Sequence, residues 1–376
     1  MSENRDDESM IDAPALPPPA ISSPAPREVS FGLVAGTAPR GTRQIIVRVG
    51  RYVVAEEPLR GRSFSLNVPM RAGVVQVRVT AVDSRNRRST RVVEPVLGLP
   101  PAAEPRERSP SLDPVLARTV RSLVQRHGGT AGVYVQDLRT GRGAAWNARA
   151  RFPAASTLKL AIAVTVMRSI HGKPGEKTRL AGLLGKMLVL SDNAAANDLE
   201  VWLAGSTSAG SERVNETMRA LGLHDSLMYG GYETRRPAAA VPVGAAPIPI
   251  RVESQPSFGV GKYTTAWDLG RLARAVYLAA AGKGQLLSLG VSGSEARYLL
   301  WLLAQVADRG KLDRFIGSGP VVMHKAGWLP GARHDSGIVA FNAGAYVASV
   351  MTWKTGAADE LAGQISLWAL QRFGAG

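Results

Sequence analysis

Ser156 opens the tetrapeptide Ser156-Thr157-Leu158-Lys159, directly after Arg151-Phe152-Pro153-Ala154-Ala155. A serine hydroxyl attacks a carbonyl only where a neighbouring base accepts its proton. Pro153 and the small residues end an extended stretch and an apolar run follows, so a helix over 157–170 is expected, with Ser156 at its start. Lys159 then lies one turn away on the same face. A lysine in a dry, positively biased pocket loses enough basicity to act as the base, and the first N–H groups of a helix point at any developing oxyanion. Taken alone, the S-x-x-K spacing also fits an N-cap serine followed by a surface lysine.

Two further clusters carry the same kind of chemistry. Ser191-Asp192-Asn193 follows the helical run 183–190. Ser191 could relay a proton between two lysines, Asn193 could hold Lys159 and a substrate amide, and Asp192 would brace the turn. The triplet equally suits the N-cap of a helix over 193–203. His324-Lys325-Ala326-Gly327-Trp328 ends an apolar strand, and a turn and the returning strand 337–341 follow. Lys325 would present a fixed positive charge to a pocket. Gly327 would let a substrate lie along the strand edge. The N–H groups of Ser156 and Trp328 would form an oxyanion hole.

In this order the three clusters resemble the S-x-x-K, S-D-N and K-T-G set of class A β-lactamases and penicillin-binding proteins. The flanking stretches Thr264-Thr265-Ala266-Trp267-Asp268-Leu269 and His334-Asp335-Ser336-Gly337-Ile338-Val339 are similar to class A members as well, and the resemblance spans roughly 114–376. It implies an α+β, two-lobed serine hydrolase that needs no cofactor. Ser156 would take the acyl group of a β-lactam or an acyl-D-alanyl small molecule, with Lys159 as base. Ser191 and Lys325 would pass a proton to the leaving nitrogen, and Asn193, Ala326, Gly327 and Trp328 would line the substrate.

This chain departs from the family pattern twice. Ala326 stands where the family has a threonine or serine whose hydroxyl helps to bind the substrate carboxylate; Arg333 and Ser336 are the candidates to replace it. The family's E-x-x-L-N motif, whose glutamate activates the deacylating water, is missing. Glu233, in Gly230-Gly231-Tyr232-Glu233-Thr234, falls eleven residues after Gly222, near the expected place, and Glu253 is the other candidate. Glu233 stands open between a catalytic base and a solvated loop residue, and the Pro/Ala-rich stretch 237–250 makes its loop longer than usual. Losing one positioned base costs ~10²–10⁴-fold. The alternatives to a β-lactamase are therefore a D,D-peptidase or esterase-like penicillin-binding enzyme with slow deacylation, or a non-catalytic protein that holds cell-wall polymer.

The elements that must position these residues occupy the second part of a 376-residue chain. Residues 1–27, acidic and then proline-rich, are expected to form a disordered tail. Residues 28–97 carry short alternating segments, with Val75, Val77, Val79 and Ala81 on one face and Gln76, Arg78 and Thr80 on the other. That period-two pattern reads as an all-β sandwich resembling bacterial immunoglobulin-like modules. Residues 98–113 read as a linker and 114–376 as the catalytic domain. Within it two strands lie early, three late, and helices between, as in an antiparallel sheet built from both chain ends with a helical lobe inserted.

Composition removes other chemistries. With no cysteine there is no disulfide, zinc thiolate or cysteine nucleophile, and the five histidines lack metal-ligand spacing. The net charge of +16 suits anionic partners such as a cell-wall polymer, but no basic run interleaved with aromatics marks a nucleic-acid surface. No apolar run is long enough to span a membrane. The resemblance implies an extracytoplasmic protein, although 1–12 do not read as a signal peptide.

Overall fold

The computed structural model describes residues 15–232, 248, 252–259, 261–354 and 359–375. The chain divides into two compact units.

The first unit comprises the segment up to Ala25, Leu33–Val68 and Gln76–Glu94. Its strands form two sheets: Ala20–Ser23, Leu33–Thr37 and Ser63–Asn67 in one, and Thr42–Val49 between Tyr52–Pro58 and Gly73–Asp83 in the other, where Arg88–Gly98 continues it. Val77, Val79 and Ala81 are fully buried, as the alternation requires, and Arg78 is exposed. Thr80 was expected to face out with Arg78. It is buried instead, because its hydroxyl finds that of Thr90 at 2.8 Å on the neighbouring strand.

The expected boundaries shift in three places. The tail, expected to be disordered through residue 27, contains an ordered strand: Ala20–Ser23 pairs antiparallel with Leu33–Thr37. The prolines flank this strand rather than interrupt it, and Gly36 makes room, since a Cβ there would sit 2.1 Å from the Ala20 carbonyl oxygen. Residues 1–14 lie outside the described residues. Residues 28–32 and Pro69–Val75, which the sequence places in the β module, belong to the second unit together with Pro26 and Arg27 of the expected tail. There Glu28–Ser30 runs parallel to the 96–98 end of its neighbouring strand. The buried Glu28 carboxylate binds Arg297 (2.7 Å) and Lys173 (3.2 Å). The stretch 98–113 is no free linker either. Leu99 and Ala103 are buried, Tyr277 Oη donates to the Ala103 carbonyl (2.8 Å), and Ser111–Leu112 pairs with Arg142 and Gly143.

The second unit is built on a six-stranded sheet in the order Val321–Leu329, Ala332–Phe341, Gly344–Trp353, Thr130–Asp137, Arg142–Trp146, Ser111–Leu112. The strands come from both ends of the unit, as expected. Helices Pro114–Arg126 and Asp359–Gly374 cover one face through Leu116, Val120, Leu361 and Ile365 packed on Val133, Val135 and Val350. The larger core lies on the other face and holds the helical lobe. At its centre is Lys159–Arg168, buried from Lys159 to Met167, which is why this helix is apolar all round rather than striped. Among the described residues no helix is long and apolar enough to cross a membrane.

Candidate active site

Ser156 sits in a tight turn ahead of that central helix. Thr157 N–H donates to the Ala154 carbonyl (3.1 Å) and Lys159 N–H to the Ser156 carbonyl (3.2 Å), and Ala155 takes φ +48°, a left-handed conformation costly for a residue with a Cβ. Such strain persists where its surroundings impose it. Here Phe152–Pro153 is pinned to Tyr263–Thr264, and Ala154 N–H is tied to the Lys262 carbonyl (2.9 Å). The regular helix begins at Lys159, two residues later than the sequence suggested.

Lys159 is fully buried. Its Nζ lies 3.0 Å from Ser156 Oγ and 2.7 Å from Asn193 Oδ1, and it also donates to the Ser191 carbonyl. Burial lowers its pKa to about 7, helped by the positive charges of Lys325 and Lys262 and opposed by Asp192. At that value a neutral amine can accept the Ser156 proton and still donate to Asn193 and Ser191.

Ser191, at φ +59°, presents its carbonyl to Lys159 and its hydroxyl to Lys325 Nζ at 2.9 Å. Asp192 is the N-cap of helix Asn193–Ala204, accepting from Ala195 N–H, so the cap and the site share one turn. Lys325 is buried on strand Val321–Leu329, opposite Ser336, and also donates to the Ala326 carbonyl (3.0 Å). Burial lowers its pKa to about 8 against the pull of Asp335 and Asp308, and Lys311 adds to the lowering.

Thus Ser156, Lys159, Ser191, Asn193 and Lys325 form one connected hydrogen-bonded cluster. Gly327 closes it from the strand side: a Cβ there would meet Ala155 Cβ and Thr157 Cγ2 at 3.0 Å and Ser156 N at 3.2 Å. The strand edge therefore runs beside the Ser156 N–H. Ala326 is buried opposite Asp335, and Trp328 is 56% exposed at the rim. Arg333 pairs with Trp328 near the hairpin tip, its guanidinium over the indole ring (4.7 Å) and donating to the Leu329 and Ala332 carbonyls (both 2.9 Å). Ser336 lies nearer the lysines, its buried hydroxyl without a partner among the described residues.

His334 and Asp335 alternate across their strand. Asp335 binds Nδ1 of His324 (2.8 Å), while His334 Nε2 donates to the Pro153 carbonyl (2.9 Å) and its Nδ1 accepts from Thr352 N–H (3.2 Å). Burial pushes His334 down to about 4, which keeps it neutral and structural. Glu233 lies outside the described residues. Glu253 is exposed, with its N–H on Asn147 Oδ1 (2.7 Å). No group of three or more His, Asp or Glu among the described residues could hold a metal ion.

Four residues escaped the motif reading. Tyr232 N–H donates to Asn197 Oδ1 (2.7 Å), and its ring centroid lies 4.5 Å from Lys159 Nζ and 4.6 Å from Lys262 Nζ. Lys262 donates to the Gly231 carbonyl (2.7 Å), and the buried Glu200 accepts from Ser211 Oγ (2.7 Å). The available signal was the spacing of Asn193, Asn197 and Glu200, a polar stripe on the inward face of one helix.

The Beta-lactamase2 model, described as the β-lactamase enzyme family, matches residues 115–174 and 169–373. No curated protein matches. Among solved structures, PBP-A aligns at 20% identity over 71% of this chain and 99% of its own (TM-score 0.53). A PBP-A mutant solved as an acyl-enzyme complex with penicillin G aligns equally well, with TM-score 0.53. A β-lactamase from Sphaerobacter thermophilus DSM 20745 aligns at 23% identity over 69% of this chain and 97% of its own (TM-score 0.52). At these identities the likeness speaks for the fold, while the family model covers most of the chain: this protein belongs to the β-lactamase enzyme family.

Proposed function

We propose that the protein is a serine hydrolase that is acylated at Ser156 by β-lactams and hydrolyses their cyclic amide. The observation that carries this reading is the 3.0 Å approach of Lys159 Nζ to Ser156 Oγ inside a cluster that lowers the lysine's proton affinity. Neutral Lys159 takes the hydroxyl proton as Oγ attacks the lactam carbonyl. The oxyanion settles on the N–H groups of Ser156 and Trp328. The C–N bond then breaks, the nitrogen takes a proton through Ser191 and Lys325, and water releases the acyl group. Asn193 orients the substrate amide.

A second reading, a D,D-peptidase or esterase-like enzyme whose acyl form decays slowly, draws support from two sequence facts: Ala326 replaces the usual hydroxyl residue, and no E-x-x-L-N motif is present. Mass spectrometry after mixing with penicillin, followed over time, separates the two. A Ser156 adduct that forms and vanishes within seconds fits the hydrolase, and one that persists fits the slow enzyme. A wild-type protein that neither forms an adduct nor consumes penicillin, or an adduct that survives Ser156→Ala, would refute both.

A further inference from the structure

The reaction above leaves unused a buried cluster beside Lys159. Lys262 precedes strand Tyr263–Thr264, and its carbonyl holds Ala154, two residues before the nucleophile. Its ammonium and that of Lys159 address one aromatic ring, each about equally distant from the Tyr232 centroid at 4.6 and 4.5 Å. The segment carrying that ring is fastened at three consecutive residues. Ser211 Oγ donates to the Gly230 carbonyl (3.0 Å), Lys262 to the Gly231 carbonyl (2.7 Å), and Tyr232 N–H to Asn197 (2.7 Å). Glu200 is fully buried below, and its Oε2 and the Tyr232 hydroxyl have no hydrogen-bond partner among the described residues.

We propose that Lys262 is a positioning residue for the acylation base: a second ammonium on the Tyr232 ring that disfavours charge on Lys159, with Glu200 as its counter-ion. This rests on the reading of Lys159 as the base for Ser156. An aromatic face stabilises one cation readily, but two ammonium groups on one buried ring repel each other, and the one that a further ammonium also faces, Lys159 beside Lys325, gives up its proton first. Lys159 faces Lys325 from the sheet, Asp192 from the N-cap of its neighbouring helix, and Lys262 and Tyr232 from the loop. Burial and then Lys325 lower its proton affinity most, Asp192 opposes them, and Lys262 adds to the lowering. Burial also lowers Lys262, whereas Glu200 favours its charged form. Glu200 is itself raised to about 7 by burial, against the Ser211 hydrogen bond and the Lys262 charge.

The test is the pH dependence of Ser156 acylation by penicillin in the full-length protein, for wild type, Lys262→Gln and Lys262→Arg. Two charges on one ring, no more than about 9 Å apart, at an effective dielectric near 20 move a titration by about one pH unit or more. Glu200 offsets part of that, so the acid limb of the Gln variant is expected to rise by roughly 0.5–1 pH unit. Gln retains a donor for the Gly231 carbonyl, and Arg retains the charge and restores the wild-type limb. If Lys262→Gln does not fold, Lys262→Met supplies the neutral variant. Titration of the Lys159 15N-amine by NMR reads the same midpoint without substrate, so Lys262 is tested even if no acyl group is accepted. An unchanged Lys159 midpoint in a folded neutral variant, or an equal shift in Lys262→Arg, overturns the proposal.

Discussion

Replacing Lys159 with methionine should abolish acylation and at the same time stabilise the protein, in a pH-dependent way. Lys159 titrates near 7 in the folded chain against 10.5 for an ordinary lysine. Its folded-state pKa is depressed, so between pH 7 and 10.5 the unfolded chain binds the extra proton and stability rises with pH across that window. At pH 7 the penalty for holding this amine is on the order of 4 kcal/mol. Removing it also removes hydrogen bonds to Ser156, Asn193 and Ser191, each worth about 1 kcal/mol, and methionine fills similar volume. The net gain at pH 7 is therefore about 1 kcal/mol. Its pH dependence is the sharper number: between pH 7 and 9 the wild type recovers about 2 kcal/mol relative to Lys159→Met. Urea unfolding of both proteins at pH 7, 8 and 9 reads the gap directly, and groups common to both largely cancel. A gap independent of pH would mean that the folded lysine keeps its proton throughout, and the assignment of Lys159 as base would fall with it.

Two further outcomes follow from the same geometry. Gly327→Ala places a methyl 3.0 Å from Ala155 Cβ and Thr157 Cγ2; it should slow acylation by roughly 10²-fold, measured as adduct formation, with a loss of stability under about 2 kcal/mol. Unchanged acylation would show that the strand edge does not bound the reacting site. Glu233→Gln tests the open role of that residue: if it activates water, the adduct forms at the wild-type rate and decays ~10²–10⁴-fold more slowly, whereas equal decay leaves it a solvated loop residue.

The motifs were legible because short-range rules govern them. Ser156 and Lys159 are one turn apart, Asp192 caps the helix that begins at Asn193, and Lys325 ends an apolar strand. Their convergence is not local, and only the resemblance to a known motif set foretold it. Boundaries proved less legible for a definite reason. The strand Ala20–Ser23 lies amid prolines, and its pairing depends on the missing side chain of Gly36 thirteen residues beyond Ser23. Tyr52–Pro58 escaped notice because Tyr52, Val53, Glu56 and Glu57 are all exposed, leaving no alternation to read. Leu99 and Ala103 sit in a stretch whose prolines and charges suggest a linker and most of whose residues are exposed, and these two buried side chains, with the Tyr277 hydrogen bond, dock it.

The buried polar groups explain why the motif reading undercounted the site. A motif marks residues that touch substrate, whereas the charge state of Lys159 is set by everything within electrostatic reach. Lys325 belongs to a motif and Lys262 does not, yet both act in the same direction on one amine. Glu200 would read in sequence as a solvated helix glutamate, since glutamate is rarely buried without a partner. Its burial becomes intelligible only once Ser211 and Lys262 are seen around it. A buried carboxylate beside Lys262 offsets part of that lysine's charge, at less cost than holding it in an apolar pocket. Under the proposed mechanism, which begins with removal of a proton from Ser156, that property bears on the rate alongside the nucleophile's own geometry.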